Sequence, residues 1–145
     1  YLIIIILFFF SINAFSSENT YFMSLKNNEV NLRHGPSFDY PIKFVYKKKH
    51  LPIIIIDKSG AWRKIKDLKN NSGWIHISQL SKNRSAINIK NNSIIYKNPT
   101  TFSRPLAKLE KGRLVLGIKC NDKWCKVKSG SYNGWVEKKF LWGNF

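Results

Sequence analysis

Gly60-Ala61-Trp62-Arg63-Lys64-Ile65, followed by Ser72-Gly73-Trp74-Ile75, decides the fold, because the chain writes it a second time. The second copy reads Asp122-Lys123-Trp124-Cys125-Lys126-Val127, followed by Asn133-Gly134-Trp135-Val136. Further upstream, Pro41-Ile42 is answered by Pro105-Leu106. Equivalent positions stay about 61 to 64 residues apart, which marks a duplicated unit. A period that long exceeds a one-layer solenoid repeat and suits a small barrel that closes on itself.

The rest of the chain agrees with two such barrels. Helical periodicity is nearly absent. Short β-branched and aromatic runs alternate with Asn, Gly, Ser, Asp and Pro, the pattern of an all-β sandwich or barrel. In the first copy the expected strands are Tyr21–Leu25, Glu29–Arg33, Phe44–Tyr46, Leu51–Asp57, Trp62–Lys66 and Gly73–His76. In the second they are Ala86–Ile89, Ser93–Tyr96, Ala107–Leu109, Arg113–Asn121, Trp124–Lys128 and Gly134–Glu137. Asn27-Asn28, Ser59-Gly60, Asn70-Asn71, Asn91-Asn92 and Asn121-Asp122 supply turn residues that tolerate positive φ. Ile53-Ile54-Ile55-Ile56 does not alternate, so that strand is either buried on both faces or strongly bent. Its counterpart Leu114-Val115-Leu116-Gly117-Ile118 carries a Gly, which predicts a bulge or bend at that place. The linker Ser81-Lys82-Asn83-Arg84-Ser85 is polar and short enough to hold the barrels close.

Residues Leu2 to Phe10 form an unbroken apolar run, followed by the small, weakly polar Ser11-Ile12-Asn13-Ala14-Phe15-Ser16. The run reads as the apolar part of an export signal cleaved after Ser16, with Ala14 and Ser16 at the small-residue positions. It falls short of the roughly 20 apolar residues a membrane-spanning helix needs. A basic segment and an initiator Met are missing ahead of Tyr1, so residues 1–16 are read as an N-terminally truncated signal peptide. An uncleaved anchor and a buried strand are the alternatives. Units of about 60 residues are marginal alone, which favours barrels that are packed together or stapled.

A formal charge of +17 and a pI near 10.1 suggest nucleic acid at first sight. The surplus is mostly Lys and accompanies abundant Asn and Ile, and exported proteins seldom meet nucleic acid, so none is expected as a partner. A cationic surface still attracts anionic polymers, and salt should weaken that attraction. Lys47-Lys48-Lys49-His50 is the densest patch, either a solvated loop or a contact for an acidic partner.

Val30-Asn31-Leu32-Arg33-His34-Gly35-Pro36-Ser37, with Tyr40-Pro41-Ile42, Trp62 and Gly73-Trp74, closely resembles the bacterial SH3-like (SH3b) domain family. The second copy matches through Lys111-Gly112, Trp124-Cys125-Lys126-Val127, Gly134-Trp135-Val136 and Phe140-Leu141-Trp142-Gly143. The resemblance implies two tandem, mostly antiparallel SH3-like β-barrels, at residues 21–80 and 86–145. It also implies an exported protein that binds cell-wall or peptide ligands or positions another protein. Many relatives are joined to wall-cleaving enzymes, and no such domain fits in this chain. Two departures stand out. Tyr96-Lys97-Asn98-Pro99 replaces the Leu-Arg-x-Gly-Pro run, and Lys48-Lys49-His50 replaces a turn Gly, which predicts a distorted loop.

Ligand contacts are assigned to Arg33, His34, Tyr40 and Trp62, all in the first copy. Arg33 would either clamp a ligand carboxylate with two prongs or serve structurally by bonding loop carbonyls or Asp39. Gly35-Pro36 turns the chain out of its strand, with Gly taking an unusual φ. Trp74 and Trp135 are expected in the core, Trp62 and Trp124 part-exposed just past their hairpins, with Tyr40 and Tyr96 as further aromatic candidates. Cys120 and Cys125 flank one predicted hairpin, and with two cysteines only one intramolecular disulfide can form. Neither a metal site nor a cofactor is expected, since the three His lie far off in sequence. No nucleophile elbow, His-Glu-x-x-His motif, phosphate loop or carboxylate pair suggests an enzyme.

The sequence therefore predicts a periplasmic or secreted, non-catalytic binding module, with membrane contact only through an uncleaved leader. Its partner would be a cell-wall (peptidoglycan) polymer or an envelope protein or peptide. The rival readings are a scaffolding protein in which one repeat fills the other's groove, and an accessory to a wall hydrolase encoded elsewhere.

Overall fold

The computed structural model describes residues 19–145; the leader assigned to residues 1–16 lies outside them. Two antiparallel sheets of seven strands each follow one another along the chain. The first contains β1 (Tyr21–Leu25), β2 (Val30–Arg33), β3 (Ile42–Tyr46), β4 (Pro52–Ser59), β5 (Trp62–Lys66), β6 (Ser72–His76) and β7 (Leu80–Ser81). The second contains β8 (Ser85–Asn88), β9 (Ser93–Tyr96), β10 (Pro105–Leu109), β11 (Leu114–Cys120), β12 (Trp124–Ser129), β13 (Tyr132–Glu137) and β14 (Leu141–Gly143). Their spatial orders are β3-β2-β6-β5-β4-β1-β7 and β10-β9-β13-β12-β11-β8-β14, the same topology twice.

Each sheet coils around its own core. Tyr46 from one end of the first sheet and Leu80 from the other end join a single buried cluster with Leu25, Leu32, Ile53, Ile65 and Ile75. The second core gathers Ala86, Ile95, Leu109, Val115, Cys125, Val127, Val136 and Leu141. All twelve expected strands form, within a few residues of their expected ends. The two extra strands, β7 and β14, each follow a 3₁₀ turn and pair antiparallel with the first strand of their own sheet.

Local chemistry accounts for the turns and bends. Gly60, Asn70 and Asn92 take the positive φ expected of turn residues. Both long strands carry a register shift, between Ile55 and Asp57 in β4 and between Leu116 and Lys119 in β11. The four-isoleucine run is thereby explained. Ile53 and Ile55 point into the core, while Ile54 and Ile56 are half-buried on the outer face of a bulged strand. The predicted distortion at Lys48-Lys49-His50 does not occur. His50 adopts φ 66° where Gly112 adopts φ 88° in the second copy. Each donates its N–H to the end of its first strand region, to Leu25 O at 2.8 Å and to Asn88 O at 2.7 Å. Histidine is among the residues that enter this region more readily than most, so the turn survives without glycine.

Trp124 is part-exposed as expected, but the core assignment of Trp74 and Trp135 does not hold. Trp74 and Trp135 are half-buried, and the core positions are their neighbours Ile75 and Val136. A strand alternates its faces, and the inward residues here are Gly73 with Ile75 and Gly134 with Val136. Those glycines are required by close approach. A Cβ on Gly73 would sit 2.8 Å from Arg33 O, and one on Gly134 would sit 2.5 Å from Tyr96 O. The Gly-Trp pair is thus a place where two strands nearly touch, with the indole turned outward.

The linker is clamped from both sides. Buried Ser24 Oγ donates to Asn83 O at 2.9 Å, and Asn144 Nδ2 donates to Lys82 O at 3.4 Å. Phe22 of the first barrel meets Trp142 of the second edge-on, with centroids 5.0 Å apart.

Candidate ligand-binding surface

The eight-residue connection from β2 to β3, residues 34–41, forms the candidate site together with the ends of β5 and β6. Arg33 ends β2, opposite Trp74 of β6 and Ile42 of β3. From there its Nη1 donates to Tyr40 O at 2.9 Å and to Phe38 O at 3.3 Å. Of the two roles open to Arg33, bonding to loop carbonyls is realised. Asp39 is engaged instead by Ser37, whose Oγ donates to Oδ2 at 3.3 Å and accepts from Asp39 N at 3.1 Å.

Gly35 is needed for contact and not for φ, since it does not take a positive value. The ring of Tyr40 lies so close that a Cβ on Gly35 would stand 2.4 Å from Tyr40 Cε1. The loop folds back on itself, and His34 N donates to Pro41 O at 3.1 Å. His34 itself is exposed. Tyr40 is 46% exposed, as is Ile42 beside it.

Trp62 is buried, contrary to its expected part-exposure, yet it belongs to neither core cluster. It lies on the outside of the barrel beneath two aromatic neighbours. Phe38 meets it edge-on at 4.9 Å, His76 meets it edge-on at 5.2 Å, and Phe38 stacks on His76 at 5.3 Å. Trp62 and His76 are direct cross-strand partners, which fixes their side of the triad. His76 Nδ1 is held by Ser78, accepting from its backbone N–H at 3.2 Å. Phe38 remains 67% exposed, with the Arg33 guanidinium 5.4 Å from its ring centre.

The apolar side chains offered to solvent are therefore Phe38, Tyr40 and Ile42, with Trp62 and His76 beneath Phe38. Of the residues assigned from sequence, Arg33 and Tyr40 are joined by a hydrogen bond, Trp62 is linked to Arg33 only through Phe38, and exposed His34 follows Arg33 in the chain. Phe38 and His76 escaped sequence reading. Phe38 sits in an irregular loop without periodicity, and the contact of His76 depends on strand register.

The second barrel lacks this arrangement. Tyr96 stands at the register of Arg33, opposite Trp135, and meets half-buried Trp124 edge-on at 5.8 Å. Glu137 replaces His76 as the cross-strand partner of that tryptophan. The loop of residues 97–104 has the same length, but its phenylalanine, Phe102, is 98% exposed. Cys120 and Cys125 form the expected disulfide across the β11–β12 hairpin, as cross-strand partners with Cα atoms 4.0 Å apart. No group of three metal-ligating side chains occurs among the described residues.

Solved structures similar to this chain include NlpC2 from Trichomonas vaginalis, at 14% identity and a TM-score of 0.39, covering 88% of this chain and 49% of that one. NlpC1 from Trichomonas vaginalis gives 14% identity and 0.39, covering 87% and 46%. An NlpC/P60 family protein from Bacillus cereus ATCC 10987 gives 13% and 0.36, covering 83% and 55%. The chain spans about half the length of these proteins. Among curated proteins none matches it. The family model of the bacterial SH3 domain matches residues 26–82 and again residues 90–143, one segment on each barrel. With the duplicated strand order and the twin Gly-Trp contacts, that match places the chain in the bacterial SH3 domain family, as two tandem copies.

Proposed function

We propose that this protein is an exported, non-catalytic envelope module that binds cell-wall peptide or a protein partner through the first barrel's Arg33–Ile42 surface. One observation carries the reading: Phe38, Tyr40 and Ile42 are exposed along one loop and the strand it enters, with Phe38 resting on buried Trp62. Rigid aromatics that offer apolar area at small entropic cost are good anchors for peptides and sugars. Arg33 sets the loop from below through Nη1, and its remaining donors suit a ligand carboxylate.

The scaffolding alternative requires the second repeat to fill this groove. The exposure of Phe38, Tyr40 and Ile42 speaks against that, and the contacts between barrels run through Phe22, Ser24 and the linker instead. Export rests on the leader read at residues 1–16, and a periplasmic or secreted location follows from it. The absence of catalysis is part of the proposal, with both cysteines engaged in a disulfide.

Sedimentation with purified peptidoglycan, at low and at high salt, tests the proposal. Binding through an aromatic surface is expected to survive 0.5 M salt in large part, where the screening length falls to roughly 4 Å. Complete loss at high salt would leave only diffuse charge.

A further inference from the structure

A second surface lies between the barrels and uses none of the residues of the candidate binding surface. It is a cleft of about 720 Å³, lined by Arg84 and Asn83 of the linker, His50 of the first barrel, and Lys119, Lys126 and Lys128 of the second. Leu116, Gly117, Ile118 and Asn133 complete its lining. Four permanent cations face it, and no carboxylate lines it.

The duplicated register shows that this concentration of charge is local. Lys119 and Lys126 are direct cross-strand partners in the second barrel. The equivalent pair in the first barrel is Asp57 opposite Lys64. One copy thus places opposite charges at a position where the other places like charges. Like charges directly across a sheet disfavour the pairing, and the fold does not require them. The bulge adds to the same feature. Gly117 takes φ 62°, and the stem of Lys128 crosses it so closely that a Cβ would lie 3.3 Å from Lys128 Cδ. The first barrel has the bulky Ile56 in its bulge.

The other wall is also fixed. Ser24 Oγ holds Asn83 O at 2.9 Å, which pins the linker beside Arg84. His50 is held in its left-handed turn by the bond to Leu25 O. The cleft exists only because both barrels and their linker meet there.

We propose that this cleft binds a linear polyanion, with successive phosphate or carboxylate groups lying along the Lys119, Lys126 and Lys128 row and Arg84 at its side. Lys126 and Lys128 are two residues apart on the same face of β12, about 6.6 Å along the strand, a spacing suited to repeated charges on an extended polymer. Nucleic acid fits less well. Single strands are gripped by stacking on aromatic side chains, and no Phe, Tyr or Trp lines the cleft.

The test measures binding of linear polyphosphate to the described chain, residues 19–145, with Lys119→Asp as the key variant. That change gives the second barrel the Asp–Lys pair the first already tolerates, so folding is expected to persist and is checked by melting temperature. Lys97→Asp, in the loop after β9, makes the same change in net charge away from the cleft. Binding should fall about tenfold or more for Lys119→Asp and less than about twofold for Lys97→Asp. Arg84→Ala should weaken it as well. Competition by polyglutamate as strong as by polyphosphate supports the site with carboxylate as a natural source, and competition by polyphosphate alone supports it with phosphate. Equal losses for the two Asp variants, or no loss for either, would overturn the proposal. So would tighter binding of a single-stranded oligonucleotide than of polyphosphate with matched charge. No peptidoglycan enters this assay, so its failure leaves the first-barrel reading untouched.

Discussion

The two barrels share a strand order, a bulged long strand, a positive-φ turn and a glycine at the closest strand approach, yet they fill one buried position with opposite chemistry. Leu25, in the first, is completely buried in the apolar core. Asn88, at the corresponding place in the second, is equally buried and fully bonded. Its Nδ2 donates to Lys90 O, Glu110 O and Leu109 O at 2.8, 3.0 and 3.1 Å, and its Oδ1 accepts from Ser93 Oγ at 2.7 Å. The first barrel keeps its own polar knot elsewhere, around Asp67. That carboxylate accepts from Lys69 N and Asn71 N, each at 2.9 Å, and from the Tyr46 hydroxyl at 3.0 Å. Burial, with the Asp67 charge beside it, pushes ionisation of Tyr46 well above its ordinary range. Duplication therefore fixes the backbone requirements. Loops are tied down by whichever side chains can satisfy them.

Single substitutions can break this comparison. The largest effect is expected from truncating the matched pair. Leu25→Ala should destabilise the first barrel by about 2 to 5 kcal/mol, the range for emptying an aliphatic core position. Asn88→Ala should cost the second barrel about 2 to 3 kcal/mol, because Ser93 and three carbonyls lose their partner. Denaturant melts would show both, and a negligible cost for Asn88→Ala would mean that its network is incidental.

The staple comes next. Reduction should lower the stability of the second barrel by at most roughly 2 kcal/mol, since the loop closed by Cys120 and Cys125 is short. The first barrel should be unaffected. Intact mass before and after reductant checks the premise, and two free thiols in protein isolated from the envelope would remove it.

The smallest stability effect is a gain. His50 stands in the left-handed region that glycine enters without penalty, so His50→Gly should stabilise the first barrel by about 1 kcal/mol. Gly112→His should cost the second a comparable amount. Thermal melts of the two exchanges would sharpen the comparison, and a loss on His50→Gly would show that the imidazole contributes more than its turn costs.

Most of the architecture was legible in the sequence, because duplicated Gly-Trp stretches and alternating apolar residues are direct imprints of strand geometry. β7 and β14, of two and three residues, are too short to show alternation. Trp74 and Trp135 were misplaced in the core because a glycine leaves no apolar mark even when it faces the core. The bonding of Arg33 to loop carbonyls and the disulfide were readable from motif and pairing. Phe38 was not, since an irregular loop has no period and its contact with Trp62 arises only once the loop folds back. The Lys119–Lys126 pair was equally hidden, because a run of lysines looks like composition until the register sets two of them opposite each other.

The central claim is that the cell-wall ligand is held by the loop after the second strand of the first barrel and not by the equivalent loop of the second, and the two loop phenylalanines offer a matched test of it. Phe38 rests on Trp62 and His76, whereas Phe102 projects into solvent from the equivalent loop. Peptidoglycan sedimentation of Phe38→Ala and Phe102→Ala, each with an unchanged melting temperature, is the most direct measurement. The account predicts that Phe38→Ala weakens binding roughly tenfold or more, as loss of an aromatic anchor does, while Phe102→Ala changes it less than about twofold. Equal losses, or a larger loss for Phe102→Ala, would contradict it.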